Sequence, residues 1–225
     1  MLEGVRDVNW ASLQHAFGSA GDVPDNLRAL VSGDARAARV ALQELGTSLL
    51  HQGSIYEATA AAVPFLAEIA LEPSIPERIR VQVLVMLAAA ANPYFFGDVE
   101  RACRDAVSRA LPQLERLLEE QTIVGLAAAE VFGMVPASQR PAPAPLLRLR
   151  DAVPGGSLRI ALDIAIARIE GEDAQPYVEA LSMIDLTFRG RREVWEDATS
   201  DQIERSAIDL VLESAISEEL RRSRR

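Results

Sequence analysis

The sequence predicts an all-α fold, an α-solenoid of about five helical hairpins, on three observations. Five prolines (Pro24, Pro64, Pro112, Pro145 and Pro176) recur 40, 48, 33 and 31 residues apart, and each precedes a short run of apolar residues at helical spacing. Proline suits the first turn of a helix, where its missing N–H would lack a partner and its fixed φ is already helical. A second, Ala-rich amphipathic stretch follows each run. Aromatic residues make up only 5% of a chain that is 49% hydrophobic, so the core must be built from Ala, Leu, Val and Ile, which suits close helix contact. The spacings straddle the roughly 33–47-residue period of helical-hairpin repeats, and hairpins with one wet face must stack to close a core.

In chain order, residues 1–22 read as an N-terminal cap segment, 23–186 as the repeats, and 187–225 as C-terminal capping helices with a basic tail. The first pair is a short helix at Pro24–Val31 and a longer one at Ala35–Leu50, with Asp34 placed to N-cap the second and Gly53 to end it. Ala38, Ala41, Leu42, Leu45 and Leu49 share one face of that second helix. Tyr56–Leu71 carries the next apolar face, and Pro64 either kinks one helix there or starts another. Its partner is Glu77–Ala91, bracketed by Pro73, Pro76 and Pro93. A single long helix is expected over Asp98–Glu120, buried through Val99, Ala106, Val107, Ala110, Leu114 and Leu118. Thr122–Val135 follows it, with Gly125 and Ala127–Ala129 permitting close approach. The fourth pair is Leu146–Arg150 with Ser157–Glu170, Ser157 reading as an N-cap after Pro154-Gly155-Gly156. The fifth is Pro176–Leu186 with Ile203–Leu220, Trp195 lying between them.

Pro64-Phe65-Leu66 followed by Pro76-Glu77-Arg78-Ile79-Arg80 and an Ala/Leu-rich helix resembles a HEAT repeat, as does Val23-Pro24 through Asp34-Ala35-Arg36. Trp10 to Gly18, Asp22-Val23-Pro24 and His51 to Tyr56 resemble a group of bacterial HEAT-repeat proteins known from actinobacteria. The repeat likeness covers most of residues 20–185 and the closer one about the first 70. It implies a binding scaffold, since HEAT proteins usually bind other proteins along a concave face. Two enzymatic branches of that family exist, bilin lyases and alkyl-DNA glycosylases. The charge here lends no support to the glycosylase's cationic groove, and no residue is assignable to the lyase's chemistry.

Net charge is −10, from 33 acidic and 23 basic residues, and every basic one is Arg. The missing Lys, with the many Ala, reads as genomic base composition. An acidic surface argues against nonspecific nucleic-acid binding and suits a basic protein partner. Cys103 is alone, so the fold needs no internal disulfide; with no signal-like N-terminus and no membrane-length apolar stretch, a cytoplasmic protein is expected.

The sequence contains no phosphate loop, zinc pattern or nucleophile elbow, and no catalytic, metal or cofactor residues are expected. Cys103 reads as a small buried hydrophobe and His51 as a partner for helix-terminal carbonyls. The recognition candidates are His51, Gln52 and Tyr56, the aromatic loop Tyr94-Phe95-Phe96, and Arg191, Arg192 and Trp195 in an Arg-rich segment. The expected function is a non-enzymatic protein-binding scaffold, in one form an immunity-type protein neutralising a basic partner. Two rivals remain: a small hydrolase or lyase with a pocket around His15, His51 and Tyr56, and a nucleic-acid-binding HEAT protein with an Arg-lined groove.

Overall fold

The computed structural model describes residues 1–91, 97–120, 122–135, 144–193 and 198–222. The chain divides into two compact units, Met1–Leu114 and Glu115–Arg225. Among the described residues it is mostly helical, with eleven α-helices and one two-stranded hairpin that the periodicity did not suggest.

The first unit opens with a 3-10 turn at Trp10–Ser12 and the strands β1 (Gln14–His15) and β2 (Gly18–Ser19), followed by α1 (Val23–Leu30) and α2 (Ala35–Leu49). Then come α3 (Glu57–Leu71), α4 (Glu77–Ala91) and α5 (Asp98–Leu114). Local chemistry explains the boundaries. Pro24 lies in the first turn of α1, and the Asp34 carboxylate caps α2 by accepting from the Arg36 and Ala37 N–H groups at 2.8 and 3.1 Å. The buried Arg80 of α4 donates from Nε to the Ala70 carbonyl at 2.8 Å, filling an acceptor at the C-terminal end of α3. α3 packs on both α4 and α5, α1 also touches α3, and α2 touches α4. The N-terminal segment joins this core through Trp10, whose buried ring stands 6.0 Å from that of Phe65 and whose Nε1 donates to Val5 O at 2.6 Å.

Two of the five prolines do not open a helix: the sequence leaves Pro64 open between a kink and a start, and the helix expected over 98–120 already runs through Pro112. Pro64 lies inside α3 and Pro112 inside α5, and both face solvent. On an exposed face water can satisfy the carbonyl that a proline deprives of its donor, so the helix continues. The helix expected over 98–120 instead ends at Leu114 and tightens into a 3-10 turn at Glu115–Glu119, where the chain passes from one unit to the other.

The second unit comprises that turn and α6 (Ile123–Met134), α7 (Ala144–Ala152) and α8 (Ser157–Glu170). It ends with α9 (Gln175–Ile184), a short unforeseen α10 (Leu186–Arg192) and α11 (Ser200–Arg222). The N-cap of α8 is Gly156 rather than Ser157, because Gly156 holds a φ of +116° that side chains rarely adopt. α11 touches α9 but packs more extensively on α6 and α8, so the expected fifth pair is a minor contact.

Small residues permit that packing. A Cβ on Gly125 would lie 2.1 Å from the Glu120 carbonyl oxygen, and one on Gly133 about 3.0 Å from Ile208 of α11 and 3.1 Å from Ala165 of α8. Around them lies a charge network. The buried Arg168 of α8 donates from Nε to Gly133 O at 3.0 Å and pairs through Nη1 with Asp201 (3.0 Å) and Glu204 (2.8 Å) of α11. Burial would raise the Asp201 carboxyl, but the Arg168 and Arg205 guanidiniums beside it hold it below its ordinary value.

Glu130 is the exception in α6, a fully buried carboxyl in a helix otherwise lined by apolar residues. Burial pushes it well above its ordinary range, and the Asp209 and Glu213 carboxylates of α11 push it further. Protonated, it hydrogen-bonds Asp209, itself raised by burial and by Glu213 while Arg191 opposes the rise. The folded unit therefore holds a proton that the unfolded chain releases above about 4.5, and stability declines as pH rises from there through the folded-state pKa.

Two outcomes follow for this unit. Glu130→Gln keeps a donor toward Asp209 and removes the ionisation, so its melting temperature should exceed that of the wild type by a margin that widens as pH is raised from 4 to 8 in thermal melts. Gly125→Ala, driven against a backbone carbonyl, should lose about 3 kcal/mol or more in urea unfolding.

Candidate functional site

Two segments of the first unit, 10–18 and 51–56, meet at a ledge. β1 and β2 pair antiparallel with His15 opposite Gly18, leaving Ala16 and Phe17 at the turn. The Ala16 N–H donates to Ser48 O of α2 at 2.9 Å, which fixes the hairpin against the end of that helix. His15 is buried beneath the turn. Its Nδ1 accepts the Phe17 N–H at 3.0 Å, so Nε2 carries the hydrogen and donates to Asp22 Oδ1 at 2.9 Å. Both ring nitrogens are thus engaged in holding the turn.

Phe17 itself is 66% exposed. Its ring stands edge-on to His15 with centroids 6.1 Å apart and to His51 with centroids 5.4 Å apart. His51 belongs to a 3-10 turn, His51–Gly53, that follows α2, and its ring flanks Phe17 instead of serving as the helix-end partner expected from the sequence. Gln52 in that turn is exposed and holds a left-handed backbone (φ 52°, ψ 37°), followed by Gly53 at φ 80°. A non-glycine residue in this region is strained. The turn is clamped from below: Thr59 Oγ1 accepts the Tyr56 N–H at 3.0 Å and donates to Leu49 O at 2.6 Å, joining the end of α2 to the start of α3. Tyr56 therefore enters through its backbone, and its carbonyl faces the Cys103 Sγ at 3.9 Å. The Cys103 thiol is pushed up to about 12 by burial and by Glu100, so it stays protonated as a core side chain.

In the second unit the corner between α9 and α10 is equally well fastened. Asp185 Oδ1 accepts the Thr187 and Phe188 N–H groups, both at 3.0 Å, and so caps α10. Arg189 reaches back to the carbonyls of Ser182 (2.6 Å) and Met183 (2.7 Å), and Arg192 donates to Ser182 Oγ at 2.8 Å. Ser182, Met183, Arg189, Arg192 and Glu193 line an open hollow of about 440 Å³ there.

Of the predicted site residues, His51 and Gln52 stand at the ledge, Tyr56 supports it, Arg192 lines the hollow, and Arg191 is exposed beside it. Tyr94, Phe95, Phe96 and Trp195 lie outside the described residues. The sequence reading missed Phe17, the most exposed described aromatic; its only local signal is an aromatic next to a turn glycine, Gly18. Among the described residues no group of His, Cys, Asp and Glu side chains is placed to hold a metal ion. In the same residues, no helix is long and apolar enough to cross a membrane. Compared with known proteins, the chain matches no family model, no curated protein and no solved structure.

The strain at Gln52 has a measurable consequence. Gln52→Gly should stabilise the protein by up to about 1 kcal/mol in denaturant unfolding, and Gln52→Val should destabilise it by about 1–2 kcal/mol, because β-branching worsens the left-handed conformation.

Proposed function

We propose that the chain is a protein-binding module of the HEAT-repeat kind, without enzymatic activity of its own, that engages its partner through the Phe17–His51–Gln52 ledge. The presentation of Phe17 carries this reading: a large aromatic left two-thirds exposed while hydrogen bonds from its own N–H and from the Ala16 N–H hold its backbone in place. A pre-ordered aromatic loses little conformational freedom on binding, which is what interface anchors require. The strained Gln52 beside it is further support, since such backbone persists where the surroundings over-determine it and concentrates at functional positions. The contacts of α1 with α3 and of α2 with α4 support the repeat reading, because stacked hairpins make that alternation. With a net charge of −10 the favoured partner is a basic protein, and the specific form is a cytoplasmic immunity-type protein that covers a basic effector.

The test is retention on the immobilised chain. A lysate of the source organism should yield one stoichiometric basic protein, identified by mass spectrometry and released by salt. Phe17→Ala and His51→Ala should each abolish its capture, whereas Val40→Ala, which trims another half-exposed apolar side chain (50%), should not. Capture that ignores Phe17, or no capture at all, would remove the ledge from the interface.

A further inference from the structure

Around the α9–α10 corner, apolar side chains are exposed together. Met183 is 71% exposed, Ile184 53% and Leu186 74%, three of four consecutive positions. Tyr177, two turns before Ile184 on the same face of α9, adds a fourth. Isolated exposed apolar residues are ordinary, but a contiguous group on a fixed scaffold marks an interaction surface. The scaffold is fixed by the Asp185 cap and by the Arg189 and Arg192 hydrogen bonds to Ser182 and Met183. Phe188, fully buried, anchors α10.

Charge around this group is sorted by position. From Glu170 to Asp185 the chain carries five carboxylates and no Arg; from Leu186 to Glu193 it carries three Arg and one carboxylate, Glu193, which lines the hollow beside Arg189 and Arg192. Glu172, Asp173 and Glu179 are exposed on the acidic side, and Arg189 and Arg191 on the basic side. A carboxylate-rich stretch before the exposed apolar residues and an Arg-rich one after them make the corner self-complementary in charge. Turned about a two-fold axis through the apolar group, the acidic half of one copy faces the basic half of the other, and both charge contacts occur twice. Closed two-fold pairs are the commonest form of soluble oligomer for this geometric reason. An acidic peptide would satisfy the Arg half alone, and a basic one the carboxylate half alone; a second copy satisfies both.

We propose that the α9–α10 corner is the interface of a two-fold homodimer, with Met183, Ile184 and Leu186 at its centre and Arg189, Arg192 and Glu179 paired across it. This interface is independent of the Phe17 ledge, which lies in the other unit.

Sedimentation velocity on the full chain, from about 1 to 100 µM, tests it directly. The wild type should pass from monomer to dimer over that range, with weaker association in salt well above 0.15 M, where the Debye length is only about 8 Å or less. Leu186→Glu, at an exposed position that leaves the helical circular dichroism unchanged, should hold the protein monomeric throughout. Arg192→Glu and Glu179→Arg should each weaken self-association at least about tenfold, and an equimolar mixture of the two should recover it, because only a two-fold pairing sets the reversed charges opposite each other. A wild type that stays monomeric would overturn the proposal, and so would a dimer indifferent to Leu186→Glu. A monomer that binds a synthetic Glu/Leu peptide at this corner would overturn it too and assign the surface to an acidic foreign partner.

Discussion

With so few aromatic side chains, each unit must fill its interior with Ala, Val, Leu and Ile, and this forces helix backbones close together. In the first unit Ala58, Ala62, Ala67 and Ala70 are buried along α3, the helix on which both α4 and α5 pack. In the second unit the same demand falls on α6, where Gly125 meets a carbonyl and Gly133 meets Ile208 and Ala165. Close approach raises dispersion contact per residue but leaves no room for polar groups without partners. The polar groups that enter these interiors bring most of their partners with them: Arg80 takes a carbonyl, and Arg168 takes two carboxylates and a carbonyl, though its Nη2 and the Glu130 Oε2 stay buried without one.

Those buried polar groups explain the path of the last helix. A long helix with apolar residues on one side could pack on any open face, and apolar contact alone discriminates poorly among them. Arg168 selects, because its Nε and Nη1 find partners only when Asp201 and Glu204 arrive from α11 while Gly133 of α6 supplies a carbonyl. Removing either side would leave a buried charge without compensation, which is far more costly than losing apolar area. The Glu130–Asp209 pair sits along the same α6–α11 contact and makes it sensitive to proton concentration.

Both candidate surfaces share a design in which exposed side chains ride on backbone that is hydrogen-bonded from beneath. At the ledge the supports are His15, Ser48 and Thr59; at the corner they are Asp185 and Arg189. Histidine at position 15 serves structure through both nitrogens, and the aromatic it supports is the group that reaches solvent. Exposed apolar side chains held in this way need no further ordering to meet a partner.

The sequence by itself determined most of the helices, though not α10. Asp34 capping α2, Pro24 and Pro176 opening α1 and α9, and the limits Glu77–Ala91 of α4 all follow from chemistry acting within one or two helical turns. It left Pro64 open between a kink and a helix start, because a proline reads as a boundary until burial shows that it faces water. It also ran one helix past Leu114, since an apolar stripe can continue while the backbone tightens. Which distant segments meet was decided only by the tertiary structure. Phe17 against His51, and α11 on α6 and α8 more than on α9, are contacts between residues far apart in the chain. Periodicity announces that a face is buried, but the face it meets depends on how the whole chain closes, and that information is spread over every helix at once.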